Sequence, residues 1–225
     1  MNNTRVIRVT GKGQIKIKPD MMRITMLLEG IFPEYSDTLR HSSEDTEGLR
    51  KLLSDFGFGK TDLKTVSFDI DAEYEGYEEN GIYRQRFAGY RFRHTLKVEF
   101  DSDNDRLGRI LYALAKCPAK PEFRISFTVK DREAAKNELL GKAVADAKDK
   151  AAALTVAANV RLGDIQSIIY SLGEPDLEVR PMSRSVRAEE GPVFAGMAKR
   201  ECLDMDIEPD DIEASDTVTI VWEIE

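Results

Sequence analysis

Residues 131–158 read DREAAKNELLGKAVADAKDKAAALTVAA, and this stretch decides the fold. It contains no proline and a single glycine, Gly141. As a helix it would be about 40 Å long. Ala135, Leu139/Leu140, Ala143/Val144, Ala147, Ala151, Leu154 and Ala158 recur at steps of three and four, which gathers them into one stripe. Lys142, Asp146 and Asp149 fall on the other side. Glu138 to Lys142 and Asp146 to Lys150 are acid-first pairs four residues apart, the favourable order on a helix. Asp131 is placed to cap the N-terminus. The stripe is alanine-weighted, so the helix can lie close against a flat partner. We expect that partner to be a β-sheet rather than another strand of a coiled coil.

Strands and two further helices surround this helix. Arg5–Ile17 alternates through Val6, Val9, Ile15 and Ile17 and is broken by Gly11-Lys12-Gly13, the mark of a bulge or a close backbone approach. Pro19-Asp20 reads as a turn and Met22–Gly30 as a returning strand, so a β-hairpin is expected at the start. Tyr35–Phe56 carries Leu39, Thr46, Leu49, Leu52/Leu53 and Phe56 at helical spacing and ends at Gly57 and Gly59. Leu63–Tyr74 and Ile82–Phe100 form the arms of a long hairpin, with an acidic, glycine-containing loop at Glu75–Gly81. Asp103–Lys116 is a short helix, and Phe123–Val129, Asp164–Leu172 and Thr217–Ile224 are strands. Glu174–Arg200 has no period and contains Pro175, Pro181, Gly191, Pro192 and Gly196, which makes it a functional loop, a flexible excursion or a sign of mis-assigned elements.

The chain of 225 residues has 41% hydrophobic and 33% charged residues, a soluble globular composition. A net charge of −8 argues against a nucleic-acid partner or an anionic membrane surface, since both need clustered Lys and Arg. No apolar run is long enough for a transmembrane helix. The N-terminal MNNTRVIRVTG lacks the apolar core of a secretory signal, so a cytoplasmic location is expected. Cys117 and Cys202 lie far apart; one disulfide or two reduced thiols are both open.

Two pairs of windows match at nearly constant offset. Arg23-Ile24-Thr25-Met26 resembles Arg124-Ile125-Ser126-Phe127, and Asp62–Phe68 resembles Asp164–Tyr170. A helix lies between the two windows of each half, and a further strand follows. The expectation is an α+β fold in a single domain over 1–225, with helices covering one face of antiparallel sheets. It would consist of two β-α-β-β halves, 5–101 and 102–225.

These segments also resemble a known family. Val9-Thr10-Gly11-Lys12-Gly13 with Pro19-Asp20 is similar to the opening V-x-G-x-G … P-D of the SIMPL-domain proteins. Gly57-Phe58, Asp62-Leu63, Thr65–Phe68, Gly89-Tyr90, the Ala143/Ala147/Lys150-Ala151 helix and Ile207–Ile220 match its later motifs in order. Asp210 departs from them, standing where the family often has glycine. Bacterial members include periplasmic immunogenic proteins and proteins linked to oxidative-stress defence. The resemblance implies an α+β fold, a tendency to self-assemble, no established enzymatic activity, and no catalytic motif to carry over.

The chemistry-bearing motifs weigh toward structural roles. Gly11-Lys12-Gly13 is followed by a strand rather than by the helix a phosphate loop requires. Asp101-Ser102-Asp103-Asn104-Asp105 opens like a calcium loop, but Arg106 and Tyr112 occupy the positions of its glycine and bidentate glutamate, so a helix cap is expected. His41 and His94 have no metal-ligand spacing, and we expect no metal and no cofactor. Two segments remain as candidate protein contacts. One is the hairpin tip, where Tyr74, Tyr77 and Tyr83 interleave with Glu73, Glu75, Glu78 and Glu79. The other is the basic stretch carrying Arg180, Arg184, Arg187, Lys199 and Arg200 against Glu189 and Glu190, with Val193, Phe194 and Met197 as an apolar anchor. It is matched in charge to the acidic tip of a neighbouring copy. The expected function is that of a non-enzymatic, homo-oligomeric protein. The alternatives are an adaptor that binds another protein through one of these segments and an unrecognised enzyme.

Overall fold

A computed structural model describes residues 5–79, 81–170, 175–180 and 207–225. In chain order its elements are β1 (Val6–Ile17), β2 (Met21–Phe32), α1 (Tyr35–Ser54), β3 (Lys64–Glu79), β4 (Ile82–Asp101), α2 (Asn104–Ala115), β5 (Glu122–Thr128), α3 (Arg132–Ala157), β6 (Leu162–Tyr170), β7 (Glu178–Val179) and β8 (Ile212–Ile224). The fold class is α+β, with antiparallel sheets and helices against them. Two compact units emerge, one from residues 1–20, 128–179 and 209–225, the other from 21–127 and 180–208. The described part of the first unit carries one helix, α3, and that of the second carries two, α1 and α2, each against a sheet.

In the first unit the strand order is β1-β8-β6. The N-terminal hairpin expected from the sequence does not form. β1 pairs along its whole length with β8, from Val6 opposite Glu223 to Ile17 opposite Ile212. Pro19-Asp20 is not a hairpin turn. Asp20 donates its N–H to the Thr128 carbonyl (3.2 Å), and its carboxylate accepts the Lys130 N–H (2.8 Å).

Helix α3 covers β1 and β8 and buries Ala135, Leu139, Ala143, Ala147, Ala151 and Thr155. The alanine stripe is as expected, but two members assigned to it, Val144 and Leu154, are exposed, and Thr155 is buried at its end. The inward row runs in steps of four. Thr155 fits it because its hydroxyl bonds back to the carbonyl of Ala151 (2.9 Å), so no polar atom is stranded. Asp131 caps the helix through the Ala134 N–H (2.8 Å), and both i,i+4 pairs close at 2.7 Å.

The glycines of β1 form the floor of this packing. A Cβ at Gly11 would overlap the carbonyl oxygen of Ala143, and one at Gly13 would overlap that of Leu139. Helix and strand therefore approach backbone to backbone, a distance that alanine on one side and glycine on the other allow. Asp146 reaches from α3 to accept the Lys12 N–H (2.7 Å). Lys150, and after it this N–H, hold the Asp146 carboxyl below the usual carboxylate range. Part of the stretch read as structureless is ordered. Leu177 is buried beside Val129, Leu139 and Ile212, its carbonyl accepts the Thr128 hydroxyl (2.9 Å), and Arg132 pairs with Glu178 (2.9 Å).

In the second unit the strands run β3-β4-β2-β5. Met22, Ile24, Met26 and Leu28 of β2 and Phe92, Leu96, Val98 and Phe100 of β4 meet Leu49 and Leu53 of α1 and the Leu107, Ile110, Leu111 and Leu114 stripe of α2. Asp103 caps α2 through the Arg106 N–H (2.9 Å), which is the helix-cap role. The Arg106 guanidinium then stacks on Phe58 (4.4 Å) and donates to the Phe56 carbonyl (2.8 Å). Cys117, just past α2, is a buried free thiol; Cys202 lies outside the described residues.

Helix α1 departs from expectation at its N-terminal half, where Leu39 is 42% exposed and Thr38, Ser42 and Thr46 are buried. Thr38 and Thr46 satisfy their hydroxyls on the carbonyls one turn back. Thr46 also bonds His94 Nδ1 (3.1 Å), and Thr65 of β3 bonds Nε2 (2.9 Å), so both ring nitrogens of this buried histidine have a hydroxyl partner.

The two units share a topology that the sequence repeat only half reports. The Asp62 and Asp164 windows open strands β3 and β6, which hold equivalent places, beside β4 and β8 respectively. The Arg23 and Arg124 windows fall on β2 and β5, which are neighbours in one sheet. The place that β2 holds beside β4 is held beside β8 by β1.

Two predictions follow from this packing. Gly11→Ala should lower the urea midpoint by an amount equivalent to about 1–3 kcal/mol, because α3 must move off the strand. Gly141→Ala, on the open side of the same helix with nothing within 4 Å, should raise stability by about 1 kcal/mol. For His94, burial and then the nearby Arg50 charge hold the imidazole pKa below its ordinary 6.5. The unfolded chain therefore takes up this proton first, and the stability tied to neutral His94 is lost as pH falls below about 6.5. Urea midpoints measured between pH 7.5 and 5 should fall more steeply in the wild type than in His94→Gln.

Candidate interaction surface

β3 and β4 run past the end of β2, whose last paired residue is Phe32 opposite Tyr90. Beyond that point, from about Glu73 to Gly89, the two strands pair only with each other among the described residues. Gly89 marks the departure. Its φ of 146° lies where only glycine is comfortable, and a Cβ there would press on the Phe32 carbonyl. The ladder shifts register at the same place. Glu73 is opposite Gly89, Tyr74 is opposite Phe87, and Ala88 is the extra residue of a bulge.

That shift gives the hairpin two unlike faces. One carries Tyr74, Phe87 and Tyr83. Tyr74 meets Phe87 edge-on at 5.8 Å, Phe87 meets Tyr90 at 5.2 Å, and Tyr90 meets Tyr35 at the start of α1 at 5.4 Å. Tyr83 lies across Gly76, where a Cβ would collide with its ring. This aromatic row is open to solvent, with Tyr83 76%, Tyr74 58% and Phe87 47% exposed. The other face is a ladder of charge. Glu75 takes two bonds from Arg86 (3.0 and 2.7 Å), Glu79 pairs with Arg84 (3.0 Å), and Glu73 takes two from Arg91 (3.1 and 3.2 Å). Arg86 also lies over the Tyr77 ring at 5.9 Å.

Of the tyrosines expected at the contact, Tyr74 and Tyr83 share the aromatic face, whereas Tyr77 belongs to the charged one. Arg180 is exposed, and Arg184, Arg187 and Phe194 lie outside the described residues. Three of the four carboxylates that made the tip look acidic, Glu73, Glu75 and Glu79, are met by arginines of the facing strand. Sequence reading missed Phe87, Tyr90, Arg84, Arg86 and Arg91 as members of this surface. The signal was the alternation of Arg84 and Arg86, which becomes legible only once the bulge at Ala88 sets the cross-strand partners.

The family model of the SIMPL proteins, described as "Protein of unknown function (DUF541)", matches residues 7–222, and the chain belongs to this family. No curated protein matches the sequence.

The ladder is testable by titration. The Arg91 hydrogen bonds hold the Glu73 carboxyl below its ordinary 4.5. Carboxyl NMR should show Glu73 titrating below the ordinary 4.5, and Arg91→Ala should move it upward. A Glu73 that keeps its position in that variant would remove Arg91 as the cause.

Proposed function

We propose that this protein works by assembling with copies of itself, and that the projecting β3–β4 hairpin is the contact. One observation carries this. A two-stranded ribbon stands beyond the rest of its sheet with an uncovered aromatic face and two backbone edges that have no partner among the described residues. Isolated two-stranded ribbons are marginal in water, and open edges are templates for strand pairing. A neighbour on this ribbon would cover Tyr74, Phe87 and Tyr83 and pair the edges. Aromatic side chains of this kind supply most of the energy of a protein contact.

The groups in the described structure most suited to chemistry have structural work to do. His94 is clamped between Thr46 and Thr65, and Glu73, Glu75 and Glu99 are paired to arginines. Burial pushes the Glu99 carboxyl up, but Arg23 and Lys97 outweigh it and hold the group low, as in a structural ion pair. An adaptor role is the alternative, because the edge of β3, unpaired among the described residues, would also accept an extended segment of a different protein.

Light scattering coupled to size-exclusion chromatography tests the proposal. The wild type should run as an oligomer at micromolar concentration. A variant in which residues 74–87 are replaced by Asn-Gly should keep its fold by circular dichroism and run as a monomer. A wild type that stays monomeric at high concentration would leave the adaptor role in its place.

A further inference from the structure

The two faces of the hairpin differ in what they need from a neighbour. In the ladder Ala72 is opposite Tyr90, Tyr74 opposite Phe87, Gly76 opposite Gln85 and Glu78 opposite Tyr83, and residues paired in this way share a face. That face carries a row of aromatic rings and one charge, Glu78 near the tip. The other face carries Glu73, Glu75 and Glu79, each already met by an arginine of the same hairpin. A face without opposing charges to match can pack on a copy of itself. At about 200 Å² for a whole aromatic side chain, the exposed fractions of Tyr35 (50%), Tyr74, Tyr83 and Phe87 amount to roughly 450 Å². Two copies bring roughly 900 Å² of ring surface, and the exposed Ala72, Gln85 and Glu78 add to it, which reaches the scale of about 1,000 Å² at which specific interfaces begin.

We propose that two copies of this chain pack hairpin on hairpin, aromatic face to aromatic face, with their tips pointing in opposite directions about a two-fold axis. This rests on the self-assembly proposed above and assigns the partner of the aromatic face. The direction follows from α1. The helix starts at Tyr35, beside Tyr90, and runs back over β2 and β4, away from the hairpin. A stacked strand layer stands about 10 Å above the one below it, much the height of a packed helix. Hairpins pointing the same way would therefore press each α1 into the base of the other copy's sheet. Hairpins pointing opposite ways set each tip in front of the other copy's α1, so that helix and hairpin form one continuous layer. The row is then met in reverse order. Tyr83 of one copy comes to Tyr90 and Tyr35 of the other, Glu78 comes to Ala72, and Phe87 and Gln85 flank the axis. Glu78 also comes to the end of the sheet at which α1 begins, and a helix N-terminus favours a negative charge. The contact is isologous: the same patch serves on both copies.

The axis supplies the test, because Gln85 lies beside it and each copy's Gln85 is close to that of the other. Gln85→Glu and Gln85→Lys should each keep the fold by circular dichroism. Each should weaken self-association at least tenfold in sedimentation equilibrium, and an equimolar mixture of the two should regain wild-type affinity. Two folded variants that associate as the wild type does would place the contact off this face while leaving self-assembly standing. A mixture no tighter than either variant alone would overturn the two-fold arrangement. A monomeric wild type would remove self-assembly itself. Cross-linking gives an arm that adds no charge. In a Cys117→Ala/Cys202→Ser background, Glu78→Cys mixed with Ala72→Cys should be joined by a short bis-maleimide, and neither alone should be. Cross-linking of Glu78→Cys with itself would mean that tips meet, and would overturn the assignment.

Discussion

Helix α3 touches strand β1 without side chains in between, and the first unit depends on that contact. Gly11 and Gly13 leave the strand surface bare where Leu139, Ala143 and Ala147 pass over it. Close packing of this kind yields many weak dispersion contacts, and any added methyl must displace backbone rather than a flexible side-chain end. Asp146 fixes the same approach by accepting an amide of β1. With α3 anchored on β1, the strand is committed to the sheet that α3 covers, and β8 supplies its hydrogen-bond partner over twelve residues. The start and the end of the chain are thereby tied into one ladder.

Most of the local structure was legible in the sequence. The cap at Asp131, the two acid-first pairs, the alanine stripe, the capped start of α2 and the long β3–β4 hairpin all follow from short-range spacing, and short-range physics places them. What was not legible was pairing over long distances. β1 alternates as well against β8 as it would against β2, and Pro19-Asp20 suits a strand exit as well as a hairpin turn. The glycines of β1 were recognised as a close-approach signal, but nothing in their spacing names the helix that approaches. The internal repeat misled for the same reason. Arg23–Met26 and Arg124–Phe127 look alike in sequence but lie on neighbouring strands of one sheet, not in equivalent places in two. In α1 the outward turn of Leu39 was hidden because Thr38 and Ser42 look polar, yet the bond of the Thr38 hydroxyl to its own helix leaves a small, nearly apolar surface.

The candidate surface shows a sharper version of this limit. Four glutamates among tyrosines look like an acidic tip when read along one strand. Read across two strands, Glu73, Glu75 and Glu79 each face an arginine, and the tip is close to neutral. The step from one reading to the other requires the bulged residue, Ala88. It moves every later side chain of β4 by one place relative to β3. Without it, Phe87 would share a face with Arg91 and the aromatic row would not exist.

Charge pairing within the hairpin also divides the labour of any contact made there. Exposed Glu–Arg pairs are screened by water and contribute little, so they do little to hold the ribbon rigid and little to hold a neighbour. Their effect is on choice. Charge pairs act on the choice and orientation of a partner more than on affinity, which in protein contacts comes from desolvated aromatic side chains. Such an arrangement discriminates among orientations without binding tightly. The segment lies beyond the end of β2 and, among the described residues, pairs only within itself. A two-stranded ribbon is weak in isolation for the same reason that its edges are open: among the described residues no strand pairs with either side of it.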